Sequence, residues 1–176
     1  LSSPTKDFLC PFSANHYGID FISFSIKDVA TGKTVFEVVK DPKKLAEKLP
    51  KSASESDLNQ LRTIHCSSSR VTILDKFPGS FLKVKTVLTK LTFTLGSKPL
   101  SSLRMIERHY FRDKLLKSYD FKLDKVVSNA ANVWETQYDL PQLSEEQIQE
   151  VVKSPGETRS DSFYFVDGKL IMHNKS

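Results

Sequence analysis

Residues 104–112 read RMIERHYFR, in which apolar and ionisable side chains alternate with the two-residue period of a β-strand. One face of that strand would carry Met105, Glu107, His109 and Phe111, and the other would carry Arg104, Ile106, Arg108 and Tyr110. Because the arginines mark the second face as the solvent-exposed one, Glu107 and His109 are predicted to face the interior. A carboxylate inside a β-protein is costly unless a partner binds it. The interior is therefore predicted to contain a lined cavity.

Similar alternation recurs on both sides of this strand and predicts a fold built from short strands. The predicted strands cover 21–29, 34–39, 81–88, 91–95, 117–123, 133–138, 161–166 and 169–173. The turns Thr31-Gly32-Lys33 and Asp167-Gly168 supply the glycine that tight hairpin connections favour. Ser144 and Gln147 form a capping box at the start of one short helix, which Pro155 would end. This pattern predicts an all-β, antiparallel β-sandwich with a short helix in a connection.

Length and composition are typical of one soluble globular domain. The chain has 176 residues, of which 39% are hydrophobic and 27% charged, and we expect residues 1–176 to form a single domain. Residues 41–69 are predicted to be an inserted, mobile segment with a short helix over 41–49. Two cysteines, Cys10 and Cys66, do not make a disulfide framework and favour a reducing, cytoplasmic compartment. We see no signal-peptide pattern and no apolar run of membrane-spanning length.

The charge pattern limits the partners. A net charge of +5 permits transient contact with an anionic membrane surface. The basic residues are not interleaved with stacking aromatic residues in a nucleic-acid-binding module, so no nucleic acid is expected.

Catalytic and metal-binding patterns are weak in this sequence. Glu107 and His109 could begin a metal site, but no second pair of ligands accompanies them. The serines lie in loop-like runs without the G-x-S-x-G motif of a hydrolase, and His65 and Cys66 are strand neighbours that would point apart. The sequence therefore predicts a protein that is not an enzyme and that needs neither metal nor cofactor.

Three long segments resemble a known family. They are RMIERHYFRDKLLKSYDF (104–121), YDLPQLSEE (138–146) and ETRSDSFYFVDGKLIMHNK (157–175). They are similar to the lipid-binding chaperones named for the delta subunit of the rod GMP phosphodiesterase, and most similar to the "uncoordinated" branch. DFLC (7–10) and the segment 19–38 are similar to that branch as well.

The resemblance implies an immunoglobulin-like β-sandwich with a hydrophobic lipid cavity between its sheets. Members of this branch bind N-myristoylated protein N-termini, carry them through the cytosol and release them to an Arf-like GTPase in its GTP form, with a role in cilia. A monomer is expected. The lipid- and peptide-binding residues that we expect are Phe24, Phe81, Met105, Glu107, His109, Tyr119, Phe121 and Tyr164. Glu107 would accept hydrogen bonds from the N–H groups of the cargo's first residues, and Tyr164 would help to hold that peptide.

Several alternatives stay open at this point. The aromatic residues, Phe21 and Phe93 included, could be ordinary core, and Glu107 could simply pair with His109 or an arginine. The sequence departs from the family pattern at Asp75 and at Asp124-Lys125, where a charged pair replaces part of an aromatic run at the pocket edge. A prenyl carrier of the same fold and a GTPase-binding scaffold without lipid cargo are the rival functions.

Overall fold

Most of the regular structure in this protein is β-strand. The computed structural model describes residues 2–40, 62–63, 79–154 and 156–175. The strands are β1 (Asp20–Asp28), β2 (Thr34–Val39), β3 (Arg62–Thr63), β4 (Thr86–Thr94), β5 (Ser102–Phe111), β6 (Lys114–Asp124), β7 (Ala131–Asp139), β8 (Thr158–Val166) and β9 (Lys169–Lys175). A single α-helix within these ranges, α1 (Glu145–Lys153), lies between β7 and β8. Short 3₁₀ turns cover Phe12–Ala14 and Gly79–Lys83.

The strands form two sheets that pack face to face. Sheet A has the order β3-β2-β1-β4-β7 and sheet B the order β6-β5-β8-β9. Pairing is antiparallel among the described strands except between β2 and the two-residue β3. The core between the sheets joins Phe93 and Trp134 of sheet A to Leu103 and Tyr164 of sheet B. The predicted all-β sandwich with one short helix is confirmed.

The register of sheet B places the predicted inward residues side by side. Glu107 of β5 lies opposite Tyr119 of β6 and Ser162 of β8. One step deeper, Met105 lies opposite Phe121 and Tyr164 and packs against the core.

The other face of β5 differs from the prediction. Tyr110, assigned to the solvent side by alternation, is 0% exposed. Its strand neighbour Arg108 pairs in register with Asp161, and the backbone N–H of Thr5 donates to Asp161 on this outer side of the sheet. Alternation predicts which residues share a face but not what covers that face. Here the N-terminal segment crosses part of it.

The region before β4 also differs from the prediction. The strand predicted over 81–88 is wrong at its start, because Gly79–Lys83 is a 3₁₀ turn and β4 begins at Thr86. The turn begins at Gly79, the second residue of a Pro-Gly dipeptide, which favours turns. Strand β4 continues from the end of the first predicted segment, 81–88, into the second, 91–95, so the two predicted strands are one. Some predictions fall on residues outside the described ranges. They are the insertion at 41–69 with its helix at 41–49, except for the two residues of β3, and the positions Cys66, Asp75 and Pro155.

Helix α1 begins as the capping motif predicts. The Ser144 hydroxyl accepts a hydrogen bond from the backbone N–H of Gln147, and the Gln147 side chain accepts one from the N–H of Ser144. Glu145 and Glu146 lie in the first turn, where the helix dipole favours negative charge, and Ile148 is buried.

Removing this cap should destabilise the protein modestly. We expect Ser144→Ala to lower the free energy of unfolding by about 1 kcal/mol, because the Gln147 N–H loses its partner. Urea unfolding followed by circular dichroism measures the change. Ser97→Ala, an exposed serine outside the helix, is the matched control. Equal effects of the two substitutions would contradict a capping role for Ser144.

Candidate functional site

Glu107 is the centre of a polar cluster on the inner face of sheet B. The Nε2 atom of His109 lies 2.8 Å from Glu107 Oε1, and the Ser162 hydroxyl donates to Glu107 Oε2 over 3.2 Å. A carboxylate only accepts, so His109 must donate from Nε2 in this arrangement. The side chains of Glu107 and His109 are 21% and 22% exposed, so the cluster is neither sealed nor freely solvated. Each carboxylate oxygen retains capacity for a further donor.

Three tyrosines lie within the electrostatic field of this carboxylate. Burial is the main cause that raises the pKa values of the Tyr119, Tyr138 and Tyr164 phenols, and the Glu107 charge is the second cause in each case. Their hydroxyls therefore stay protonated and can donate hydrogen bonds. The carboxylate is surrounded by neutral aromatic groups from both sheets, since Tyr138 belongs to β7 and the other two belong to β6 and β8.

Aromatic rings join the two sheets beside Glu107. The centroid of the Tyr138 ring lies 4.5 Å from the Tyr119 centroid and 5.2 Å from the Phe121 centroid. Deeper in the sandwich, the Phe21 and Tyr164 rings are 5.2 Å apart. Aromatic pairs at these separations attract each other beyond the burial of their area. At this level the two sheets therefore meet through aromatic rings that pack from opposite sides.

Hydrogen bonds close the same side of the sandwich. The Tyr119 hydroxyl and Lys117 Nζ both donate to the backbone carbonyl of Asp139, over 2.7 and 2.8 Å. Since β6 and β7 lie at the edges of their sheets among the described strands, these bonds join one edge to the other. These bonds run from side chains to one backbone carbonyl and are not part of strand pairing, so the two edges can separate without breaking a sheet.

The inner face of sheet B changes from polar to apolar along the strands. Glu107, His109 and Ser162 form the polar part. Met105, Phe121 and Tyr164 follow one residue pair deeper and pack against the main core. Such a face matches a ligand with a hydrogen-bonding head and an apolar tail.

Six of the eight residues predicted to bind lipid or peptide come together here: Met105, Glu107, His109, Tyr119, Phe121 and Tyr164. Phe24 and Phe81 instead pack in a second cluster with Ile26, Val87 and Leu140, and Tyr138 joins both groups. Tyr138 and Ser162 were not predicted as site residues. Alternation in DSFYFV places Ser162 on the face of Tyr164, so that signal was present. Alternation in VWETQY likewise places Tyr138 on the face of Trp134, but no local signal shows that it contacts Tyr119, because that contact crosses between the sheets.

The unusual pair Asp124-Lys125 does not enter the sandwich. Both side chains are exposed, and Asp124 lies 3.1 Å from Lys122 in a surface ion pair. Lys125 has a positive φ of 63°, and after this turn Val126 packs against the main core. The charged pair is therefore accommodated at the surface, with an aliphatic residue on the inner side.

The described ranges contain no group of three or more His, Cys, Asp and Glu side chains placed to hold a metal ion. No helix in them has the length and apolarity that crossing a membrane requires.

Comparison with known proteins identifies the family. The family model described as "GMP-PDE, delta subunit" matches residues 13–176. Protein unc-119 homolog B-A of Xenopus laevis is 45% identical over all of this chain and 69% of its own length. The human protein unc-119 homolog B is 42% identical and the Caenorhabditis elegans protein unc-119 is 40% identical, again over the whole chain, which covers 67% and 74% of their lengths.

The inner face of this β-sandwich runs from a carboxylate to buried aromatic rings and suits an amphipathic ligand, so the fold and the site define a ligand-binding protein. The matching family consists of lipid-binding carriers that act in protein trafficking. The chain belongs to the GMP-PDE, delta subunit family, and it is similar to the unc-119 proteins within it.

Proposed function

We propose that this protein carries proteins that bear an N-terminal myristoyl group, with the acyl chain between the sheets and the first peptide groups at Glu107. The observation that carries this proposal is the transition from polar to apolar on one strand face. Glu107, with its spare acceptor capacity, meets peptide N–H donors, whereas Met105, Phe121 and Tyr164 meet the acyl chain. Family membership supports the same kind of ligand.

The energetics of an acyl chain fit such a site. Burial contributes about 0.8 kcal/mol per methylene, or roughly 10 kcal/mol for a myristoyl chain. The same chain binds a bilayer only marginally, with a constant of roughly 10⁴ M⁻¹. Hydrogen bonds from the cargo peptide to Glu107 would add affinity that a bilayer does not offer. A soluble carrier can therefore compete with the membrane for its cargo.

Entry of the chain requires the sheets to separate where Tyr138 meets Tyr119 and Phe121. The bonds from Lys117 and Tyr119 to the Asp139 carbonyl hold that side closed. A partner that binds the closed state better would eject cargo by shifting this equilibrium. We propose an Arf-like GTPase in its GTP form as that partner, and delivery within the cytoplasm to cilia as the route. Both follow from the family resemblance.

A titration with three labelled peptides tests the proposal. The peptides share one sequence and are N-myristoylated, unacylated, or farnesylated with a C-terminal methyl ester. We expect the myristoylated peptide to bind at least about 100-fold more tightly than the unacylated one, a difference of about 2.7 kcal/mol. Equal affinity of these two would refute a carrier of myristoylated proteins. Binding of the farnesylated peptide alone would establish the prenyl rival. Binding of none of the three peptides would contradict both carriers and favour the GTPase-binding scaffold.

Ser162 should contribute to affinity through the carboxylate it holds. Ser162→Ala removes one hydrogen bond to Glu107 Oε2, so we expect affinity for the myristoylated peptide to fall about fivefold, equivalent to roughly 1 kcal/mol. Fluorescence anisotropy with the same labelled peptide measures the change. Ser118→Ala is the matched control, because Ser118 is an exposed serine on β6 of the same sheet. An unchanged affinity in Ser162→Ala would show that Glu107 does not depend on this bond.

A further inference from the structure

Residues 4–9, here called the N-terminal strap, lie across the outer side of β8 and β9. The backbone N–H and the hydroxyl of Thr5 donate to the two carboxylate oxygens of Asp161, over 2.8 and 2.9 Å. Lys175 donates to the Thr5 carbonyl and lies 2.7 Å from the Thr5 hydroxyl. The Phe8 ring meets the His173 ring edge-on, with centroids 5.4 Å apart. The strap is thus held by side chains that can change charge.

His173 lies at the centre of this contact. Its side chain and that of Asp161 are both 1% exposed, and the atoms His173 Nε2 and Asp161 Oδ1 are 2.9 Å apart. The backbone N–H of Leu9 donates to His173 Nδ1 over 3.0 Å. Because a backbone N–H can only donate, Nδ1 must carry no proton. The hydrogen is on Nε2, where it is donated to Asp161, and the ring that holds the strap is neutral.

We propose that His173 is a pH-operated latch: protonation of Nδ1 releases residues 4–9 from the outer side of β8 and β9. A proton on Nδ1 would place an N–H directly against the N–H of Leu9. The hydrogen bond would be lost, and both donors would lack an acceptor inside a buried contact. Movement of the strap away from β9 relieves this conflict and gives the charged ring access to water.

The charged and titratable groups around His173 come from four parts of the fold. Asp161 on β8 and Lys175 on β9 act on the ring directly, and Cys10 lines the same small depression as His173. Arg108 and Tyr110 on β5 lie beside Asp161, and Lys6 and Asp7 belong to the strap itself. Burial is the largest influence on His173 and lowers its pKa below the ordinary value of 6.5; Lys175 lowers it further, while Asp161 opposes both. For Asp161, burial alone would raise the pKa, but the hydrogen bonds from Thr5 and His173 hold it below the ordinary value of 3.8.

The sign of the pH dependence follows from these two shifts. The strap-bound state disfavours protonated His173, so release is accompanied by proton uptake. The equilibrium constant for strap attachment is largest above about pH 6.5, the ordinary His pKa. It decreases as the pH falls from there toward the lowered His173 pKa of the strap-bound state, by up to about tenfold per pH unit. Asp161 stays ionised in this range and affects the strap only in stronger acid.

Hydrogen exchange measured by mass spectrometry tests the latch without any ligand. The wild-type chain, His173→Gln and His16→Gln are compared at pH 7.5 and 5.5, with rates corrected for intrinsic exchange. A glutamine can accept from Leu9 and donate to Asp161 but does not titrate in this range, and His16 is an exposed histidine that serves as control. We expect protection of residues 5–9 to fall at least about threefold on acidification in wild type and His16→Gln, and to stay constant in His173→Gln.

Two results would overturn the latch: constant protection in wild type, or an equal fall in His173→Gln. If His173→Gln does not fold, the ¹⁵N shifts of His173 in the wild-type protein decide. Protonation of Nδ1 in step with the loss of strap protection supports the latch, and protonation at a different pH contradicts it. The cargo site is on the opposite face of β8, so the latch stands or falls independently of the proposed carrier function.

Discussion

Replacing Glu107 by alanine should weaken binding of an N-myristoylated peptide by about 10- to 100-fold. Hydrogen bonds to a charged group contribute about 1.5–3 kcal/mol, and this carboxylate is the acceptor proposed for the first peptide N–H groups of the cargo. Affinity is measured by fluorescence anisotropy, and the melting temperature is recorded alongside it. The fold should remain intact, because a half-buried carboxylate is not needed to fill the core.

Glu135→Ala provides the control for this substitution. Glu135 is an exposed carboxylate on β7, 3.9 Å from Lys90, and its loss should leave peptide affinity unchanged. An unchanged affinity in Glu107→Ala would remove Glu107 from the site and leave it as the structural partner of His109. A large fall in melting temperature with unchanged affinity would likewise contradict a binding role.

Phe93→Ala should cause the largest loss of stability, about 3–5 kcal/mol in the free energy of unfolding. Phe93 is 0% exposed and packs in the main core, so its removal leaves a cavity that neighbouring side chains fill only in part. Urea denaturation in the absence of ligand measures the change. Phe12→Ala, at a phenylalanine that is 45% exposed, should cost less than about 1 kcal/mol.

The stability of Phe93→Ala also distinguishes two roles of this ring, packed core and wall of a lipid cavity, between which the sequence does not decide. A loss of several kcal/mol identifies the ring as core, as its complete burial indicates. A loss below about 1 kcal/mol would mean that the ring is only loosely packed, as expected for the wall of an open lipid slot. Peptide binding by any folded Phe93→Ala protein would then have to be measured separately.

Local chemistry explains why several elements could be predicted from the sequence. The capping box at Ser144 and Gln147 acts within one helical turn, so its residues suffice to place the start of α1. Asp167 and Gly168 both have positive φ, as the predicted hairpin between β8 and β9 requires. Strand alternation likewise placed Glu107 and His109 on the face that carries Met105.

Contacts between distant segments explain what could not be predicted. Thr5 and Asp161 are separated by 156 positions, so no pattern around β8 reveals that the N-terminal strap covers its outer side. The burial of Tyr110 was missed for the same kind of reason, since alternation does not report what packs on a face. Tyr138 approaches Tyr119 and Phe121 only because β7 and β6 are neighbouring edges of different sheets.

Photo-crosslinking of the acyl chain tests most directly whether the lipid lies between the sheets. A peptide with a diazirine at the end of its N-myristoyl chain is irradiated with the protein, and the labelled residues are identified by mass spectrometry. A surface depression of about 300 Å³ beside Ile148 and Val152 of α1 provides an alternative site. The carrier function predicts labels on Met105, Phe121, Tyr164 or their inward-facing neighbours, which an excess of unlabelled myristoylated peptide abolishes. Labels confined to α1 or to the N-terminal segment would contradict it.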